Sequence, residues 1–185
     1  MHFPRRIIYK MKKDIHEISY FGEIRLENIN QKEILVLQLQ RMYWIETEME
    51  QLATWEARIE LEGQHLEALE TLSHDSDNHA LILEKWLNMA NIELPRTAPR
   101  GIPHRMFDFN RTNIYEMFSE IRKYEVLARD MYHNITGADA DVLEEVFPDE
   151  ENSKEFIKDM KHLVAEEERH KKICDEKIGG FTRVL

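Results

Sequence analysis

The stretch FIKDMKHLVAEEERHKKIC, residues Phe156 to Cys174, governs how the rest of the chain is read. Its apolar residues Phe156, Met160, Leu163 and Cys174 recur at the spacing of one helix face, the face a helix turns toward a core. Glu167 and His170 sit on that same face, where Leu or Val belongs. Three other segments share the pattern. One reads Phe118, Ile121, Glu125, Ala128, Tyr132, Ile135; a second reads Leu39, Met42, Glu46, Met49, Ala53; a third reads Leu69, Leu72, Ser76, His79, Leu83, Trp86. Each stripe is interrupted near its middle by a polar residue, so the interruptions fall at one level when the four helices pack side by side.

A lone buried carboxylate costs several kcal/mol unless it is paired or bound to a cation. Glu46, Glu125 and Glu167 converging with His79 and His170 therefore call for a shared counter-charge, and a divalent metal supplies it. Glutamate oxygen with histidine nitrogen is an ordinary ligand set for iron, manganese or zinc. The coincidence of four stripes carries this reading, since a single Glu-x-x-His pair arises by chance in a chain this rich in Glu and His. Within ETEMEQLATWE, Glu48, Glu50 and Glu56 read as a solvated face, and Glu50 competes with Glu46 for the inward position. Met42, Met49 and Met160 read as core filler, and Cys174 as a small buried apolar residue.

The spacing predicts helices over about 33–61, 64–90, from Asn113 to near Gly137, and 153–178. Three open with Asn followed three residues later by Glu, Asn30/Glu33, Asn113/Glu116 and Asn152/Glu155, pairs able to cap a first turn reciprocally. Gly63 permits a reversal between the first two. Between Asn91 and Arg111, NIELPRTAPRGIPHRMFDFNR contains three prolines and a glycine and is not helical throughout. A helix of ~27 residues is ~40 Å long, and ~20 extended residues span up to ~66 Å, so this linker is long enough to return along the helices. DADVLEEVFPDEEN reads as a short helical turn and a loop. The expected organisation is an N-terminal arm over 1–32, a helical domain over 33–178 and a tail over 179–185.

With 185 residues the chain suits one domain, and 42% hydrophobic against 33% charged residues, with only 6 Gly and 5 Pro, suits long surface-charged helices. The net charge of -11 disfavours nucleic acid and anionic lipid as partners. The arm is locally basic, with seven Lys or Arg against four Asp or Glu. One cysteine excludes an intramolecular disulfide and any Cys-rich metal site. No apolar run reaches membrane-spanning length and no leader pattern stands at the N-terminus, so a cytoplasmic protein is expected.

YEVLARDMY, Tyr124 to Tyr132, and EERH, Glu167 to His170, resemble the third- and fourth-helix motifs of the ferritin-like superfamily, and within it of rubrerythrins that lack a rubredoxin domain. SHDSDNHALIL, Ser73 to Leu83, resembles the second-helix segment, with Ser76 standing where that family has Glu. The resemblance implies an all-α, antiparallel four-helix bundle with a long crossover between helices 2 and 3. It implies Glu46, His79, Glu125, Glu167 and His170 as metal ligands, with Glu50 an alternative to Glu46. It further implies a diiron or dimanganese centre, iron first with manganese or zinc as alternatives, performing ferroxidase or peroxide-reduction chemistry. A homo-oligomer and an external electron donor are the expected partners. The competing expectation is a non-catalytic structural or interaction protein with a vestigial site.

Overall fold

The chain is rich in Leu, Met, Glu, Lys and Arg, residues that lose little side-chain freedom in a helix. The computed structural model describes residues 26, 28–52, 61–103, 106–107 and 113–179, and among these every regular element is an α-helix. The elements are α1 (Lys32–Glu50), α2 (Gln64–Met89), α3 (Ile114–Ile135), α4 (Ala140–Val146) and α5 (Glu150–Gly179). The four polar-interrupted stripes are buried as expected wherever they are described; Ala53 lies outside the described residues, as does most of the arm and the tail beyond Gly179.

Local signals explain most helix ends. Asn113 and Glu116 form the reciprocal cap on α3: the Glu116 amide donates to Asn113 Oδ1 at 2.9 Å and the Asn113 amide donates to Glu116 Oε2 at 3.2 Å. The other two Asn/Glu pairs do not cap. Gln31 precedes α1 without a side-chain bond, and α5 opens before Asn152 because Asp149 accepts from the amides of Glu151 and Asn152 at 2.8 and 3.2 Å. An ionised carboxylate meets the positive end of the helix dipole better than a neutral amide, which accounts for the earlier start. Gly63 takes φ 56° at the entry to α2. Asn91, at φ 54°, ends α2 in the left-handed conformation, with the Ile92 amide donating back to the Leu87 carbonyl at 2.9 Å. Helix α1 stops at Glu50 and Leu61 is not helical; the expected continuation over 53–60 lies outside the described residues.

Helix α1 packs most extensively on α2, and α3 on α5. Contacting residues run in opposite order along each pair. Glu50 meets Ser73 while Glu46 meets His79, and Arg122 meets Asp175 while Arg129 meets Glu168, so both pairs are antiparallel. Helices α2 and α5 are antiparallel too, with Lys85 beside Glu155 and Asp75 beside Arg169. Trp86 anchors that junction: its indole N–H donates to Asp159 Oδ2 at 2.9 Å, and its ring lies edge-on to Phe147 and Phe156 at 5.3 and 5.4 Å.

The segment after α2 is not helical over its described residues, and side chains of α1 and α3 fasten it. Gln40 Nε2 donates to the Glu93 carbonyl at 2.9 Å, Arg41 Nε to the Arg100 carbonyl at 2.7 Å, and the Tyr124 hydroxyl to the Met106 carbonyl at 3.2 Å. Ile102, Met106 and Phe107 join the core, as does Ile29, whose carbonyl accepts from the Asp139 amide at 3.0 Å.

Candidate metal centre

The periodicity of each helix carries its interrupting residue inward. Glu46 on α1, His79 on α2, Glu125 on α3 and Glu167 with His170 on α5 are all at most 3% exposed. Ser76, one turn before His79, is buried on the same face. Glu50 is exposed, so of the two candidates on α1 it is Glu46 that faces the others.

Glu167 stands at the centre of the cluster. Its Oε1 lies 2.9 Å from His79 Nδ1, and its Oε2 lies 3.6 Å from His170 Nδ1. Glu125 Oε2 is 3.3 Å from His170 Nδ1, and Glu46 Oε2 is 3.6 Å from His79 Nδ1. The two imidazoles stack, with ring centres 5.3 Å apart and planes 20° from parallel. The Tyr132 hydroxyl donates to Glu46 Oε1 at 2.7 Å.

The carboxylates and imidazoles serve as each other's counter-charge. Burial opposes a charge on either ring, but the surrounding carboxylates outweigh it: Glu46 and Glu167 hold His79 up to about 10, and Glu125 and Glu167 hold His170 up to about 11. Burial would raise Glu167, yet the adjoining His170, His79 and Glu125 bring it below the ordinary carboxylate range. Glu125 and Glu46 are pushed up, first by burial and then by the negative charge of Glu167. Cys174 is a buried free thiol, and its pKa is raised by burial and then by Glu125.

This mutual compensation is incomplete. His79 Nδ1, Glu125 Oε1 and Glu167 Oε1 are buried without a hydrogen-bond partner, since the short approach of Glu167 to His79 lacks hydrogen-bond direction. Each such group ordinarily costs about 1–3 kcal/mol, and three in one layer describe a place where a cation would satisfy the donors together. Three sets of donor atoms lie within 4.8 Å of one another: Glu125 with Glu167 and His170, Glu46 with His79 and Glu167, and His79 with Glu166 and His170. Any of them can hold a metal ion, and the oxygen-and-nitrogen donor set fits a hard-to-borderline divalent cation.

Three participants, Asp75, Arg169 and Glu166, were not singled out by the helical pattern. Asp75 Oδ2 lies 3.2 Å from His170 Nε2, the ring nitrogen facing away from Glu125. A carboxylate there accepts the Nε2–H and leaves Nδ1 for a metal, which fixes both tautomer and ring orientation. Asp75 is itself gripped by Arg169, Nη2 to Oδ2 at 2.6 Å, and Arg169 also binds Glu166 at 2.6 Å. Burial would raise Asp75, but the bonds from Arg169 and His170 lower it.

Comparison with protein-family models, with curated proteins and with solved structures finds no match to this chain. Among the described residues, no helix is long and apolar enough to cross a membrane.

Proposed function

We propose that the protein is a ferritin-like four-helix bundle that binds a pair of divalent metals, iron first, and acts as a non-haem oxidoreductase toward oxygen or peroxide. The observation that carries this reading is Glu167, whose two oxygens face two histidines and complete two donor trios at once. The helix directions support the bundle: α2 and α3 each run antiparallel to α5, so they point the same way, and the intervening segment fastened at Glu93, Arg100 and Met106 serves as the crossover.

Glu125, Glu167 and His170 would hold one ion, and Glu46, His79 and Glu167 the other. Iron bound there supplies electrons and Lewis acidity for reducing oxygen or peroxide. The chain's own residues do the rest. Asp75 keeps His170 oriented, Tyr132 holds Glu46 through its Oε1, and the apolar residues along the four stripes exclude water. With a single cysteine and no thiolate set for an electron-relay iron, turnover draws electrons from a separate donor. A homo-oligomer is part of the same reading.

Protein purified without chelators or an affinity-metal column should contain iron or manganese. After metal removal, anaerobic Fe(II) addition followed by oxygen or peroxide should oxidise Fe(II) faster than a Glu125→Ala, Glu167→Ala double variant of equal helicity. Equal rates would sink the enzymatic reading. Ser76, buried where a carboxylate would complete the set, favours a second reading, a non-catalytic scaffold or interaction protein with a vestigial site. Failure of both proteins to bind metal would select it.

A further inference from the structure

One nitrogen of Arg169 stands among the donors of a metal site. Its Nη2 lies 2.6 Å from Asp75 Oδ2, 2.6 Å from Glu166 Oε2 and 3.5 Å from His170 Nε2. Two carboxylate oxygens and an imidazole nitrogen converging on one positive group form the surroundings of a bound divalent ion. Independently of Arg169 and Asp75, Glu166 has a donor atom within 4.8 Å of donors on both His79 and His170. The guanidinium is thus a cation tethered to α5 and held by the ligands that a free cation would use.

This outer set joins the buried centre to solvent. His79 and His170 belong to it and also to the inner trios, and both are buried. The side chains of Asp75 and Glu166 are 21% and 28% exposed, and that of Arg169 is 44% exposed. An ion cannot cross apolar packing bare, because burying an unpaired charge is too costly, so it has to travel from donor to donor. The outer set supplies such a path, and its guanidinium is able to leave: ion pairs this exposed are weak.

Chemistry makes the outer set a place of passage. A neutral imidazole has one lone pair, so His170 cannot hold an ion on each nitrogen at once. When Nδ1 ligates beside Glu125 and Glu167, Nε2 carries the proton and faces Asp75 as a donor, and the outer set has lost a ligand. Ligation outside and inside therefore alternate at this ring.

We propose that Glu166, Asp75 and His170 form an entry site for divalent ions, covered by Arg169 and uncovered when its guanidinium swings into solvent, through which the buried trios fill and empty. This rests on the metal-binding reading above and adds the route by which ions reach that centre. Glu166 is then a ligand of the moving ion and not of the resident one.

The test uses the full-length, metal-free protein and Co(II), whose visible absorption reports ligation. Uptake is followed by stopped flow, release by excess EDTA at concentrations where the rate no longer depends on it, and equilibrium affinity by calorimetry. Glu166→Gln should slow uptake and release together by about tenfold, the low end of the range by which a charged cleft speeds association, and leave affinity unchanged, because a route alters both rates equally. Arg169→Gln should speed both, since no tethered cation has to leave first. Glu168→Gln, which removes the same charge from a residue of α5 bound to Arg129 and Lys171, should match the wild type. Rates unchanged in Glu166→Gln and Arg169→Gln would overturn the proposal while leaving the metal centre standing. Faster release with weakened affinity in Glu166→Gln would also overturn it, by making Glu166 a resident ligand. Equal slowing of uptake in Glu166→Gln and Glu168→Gln would reduce the effect to net charge and overturn it as well. Absence of Co(II) binding to the wild type would overturn the metal reading itself, and the proposal with it.

Discussion

At Glu167 a single carboxylate answers two imidazoles, and this sets how the protein responds to pH. His79 and His170 are held up to about 10 and 11 in the folded chain, against ~6.5 in an unfolded one. Groups raised on folding contribute stability that is fully present below the unfolded value and lost as pH rises through the folded one. Metal-free protein should therefore lose melting temperature between about pH 7 and 11, whereas a His79→Ala, His170→Ala variant should lose less over that range. Glu167, lowered on folding, acts in the opposite sense and withdraws its contribution in acid. The same protons compete with metal. Each ion that takes a ring nitrogen must displace its proton, so affinity should climb roughly tenfold per pH unit for each proton released between pH 6.5 and 8.5. Titration at three pH values checks this, and a flat profile would mean the ions do not use these histidines.

At the scale of the helix, the stripes and the caps were unequally legible. The inward burial of Glu125, Glu167 and His170 was legible because a polar residue on an apolar face is conspicuous whatever the neighbouring helix does. Asp75 was not, because it lies one residue off the inward face of α2 and acquires its role only through the distance to α5, which periodicity does not contain. Glu46 stood in the apolar stripe while Glu50, one turn on, competed with it for the inward position; packing against α2 buries Glu46 and leaves Glu50 exposed. Capping signals fared worse, since three similar Asn/Glu pairs end in one reciprocal cap. The α5 start makes this testable: Asp149→Ala should cost about 0.5–2 kcal/mol in urea denaturation, and Asn152→Ala much less. A larger loss from the Asn152 variant would reverse the assignment.

Across the whole molecule, the two donor trios that share Glu167 are distributed unevenly over the two antiparallel pairs. Glu125, Glu167 and His170 all belong to α3 and α5, whereas Glu46, His79 and Glu167 draw on α1, α2 and α5. The first trio is complete once α3 and α5 have met; the second exists only when both pairs have docked. An ion in the first trio can thus stabilise a half-assembled chain and enter the transition state for folding, while an ion in the second acts only on the finished structure. Stopped-flow refolding and unfolding, with and without Mn(II), should show the refolding arm rising in both wild type and His79→Ala. Slowing of the unfolding arm should be larger in the wild type. Partition of the chain into two pairs that share one glutamate would then make the order in which metals arrive part of the order in which the protein assembles.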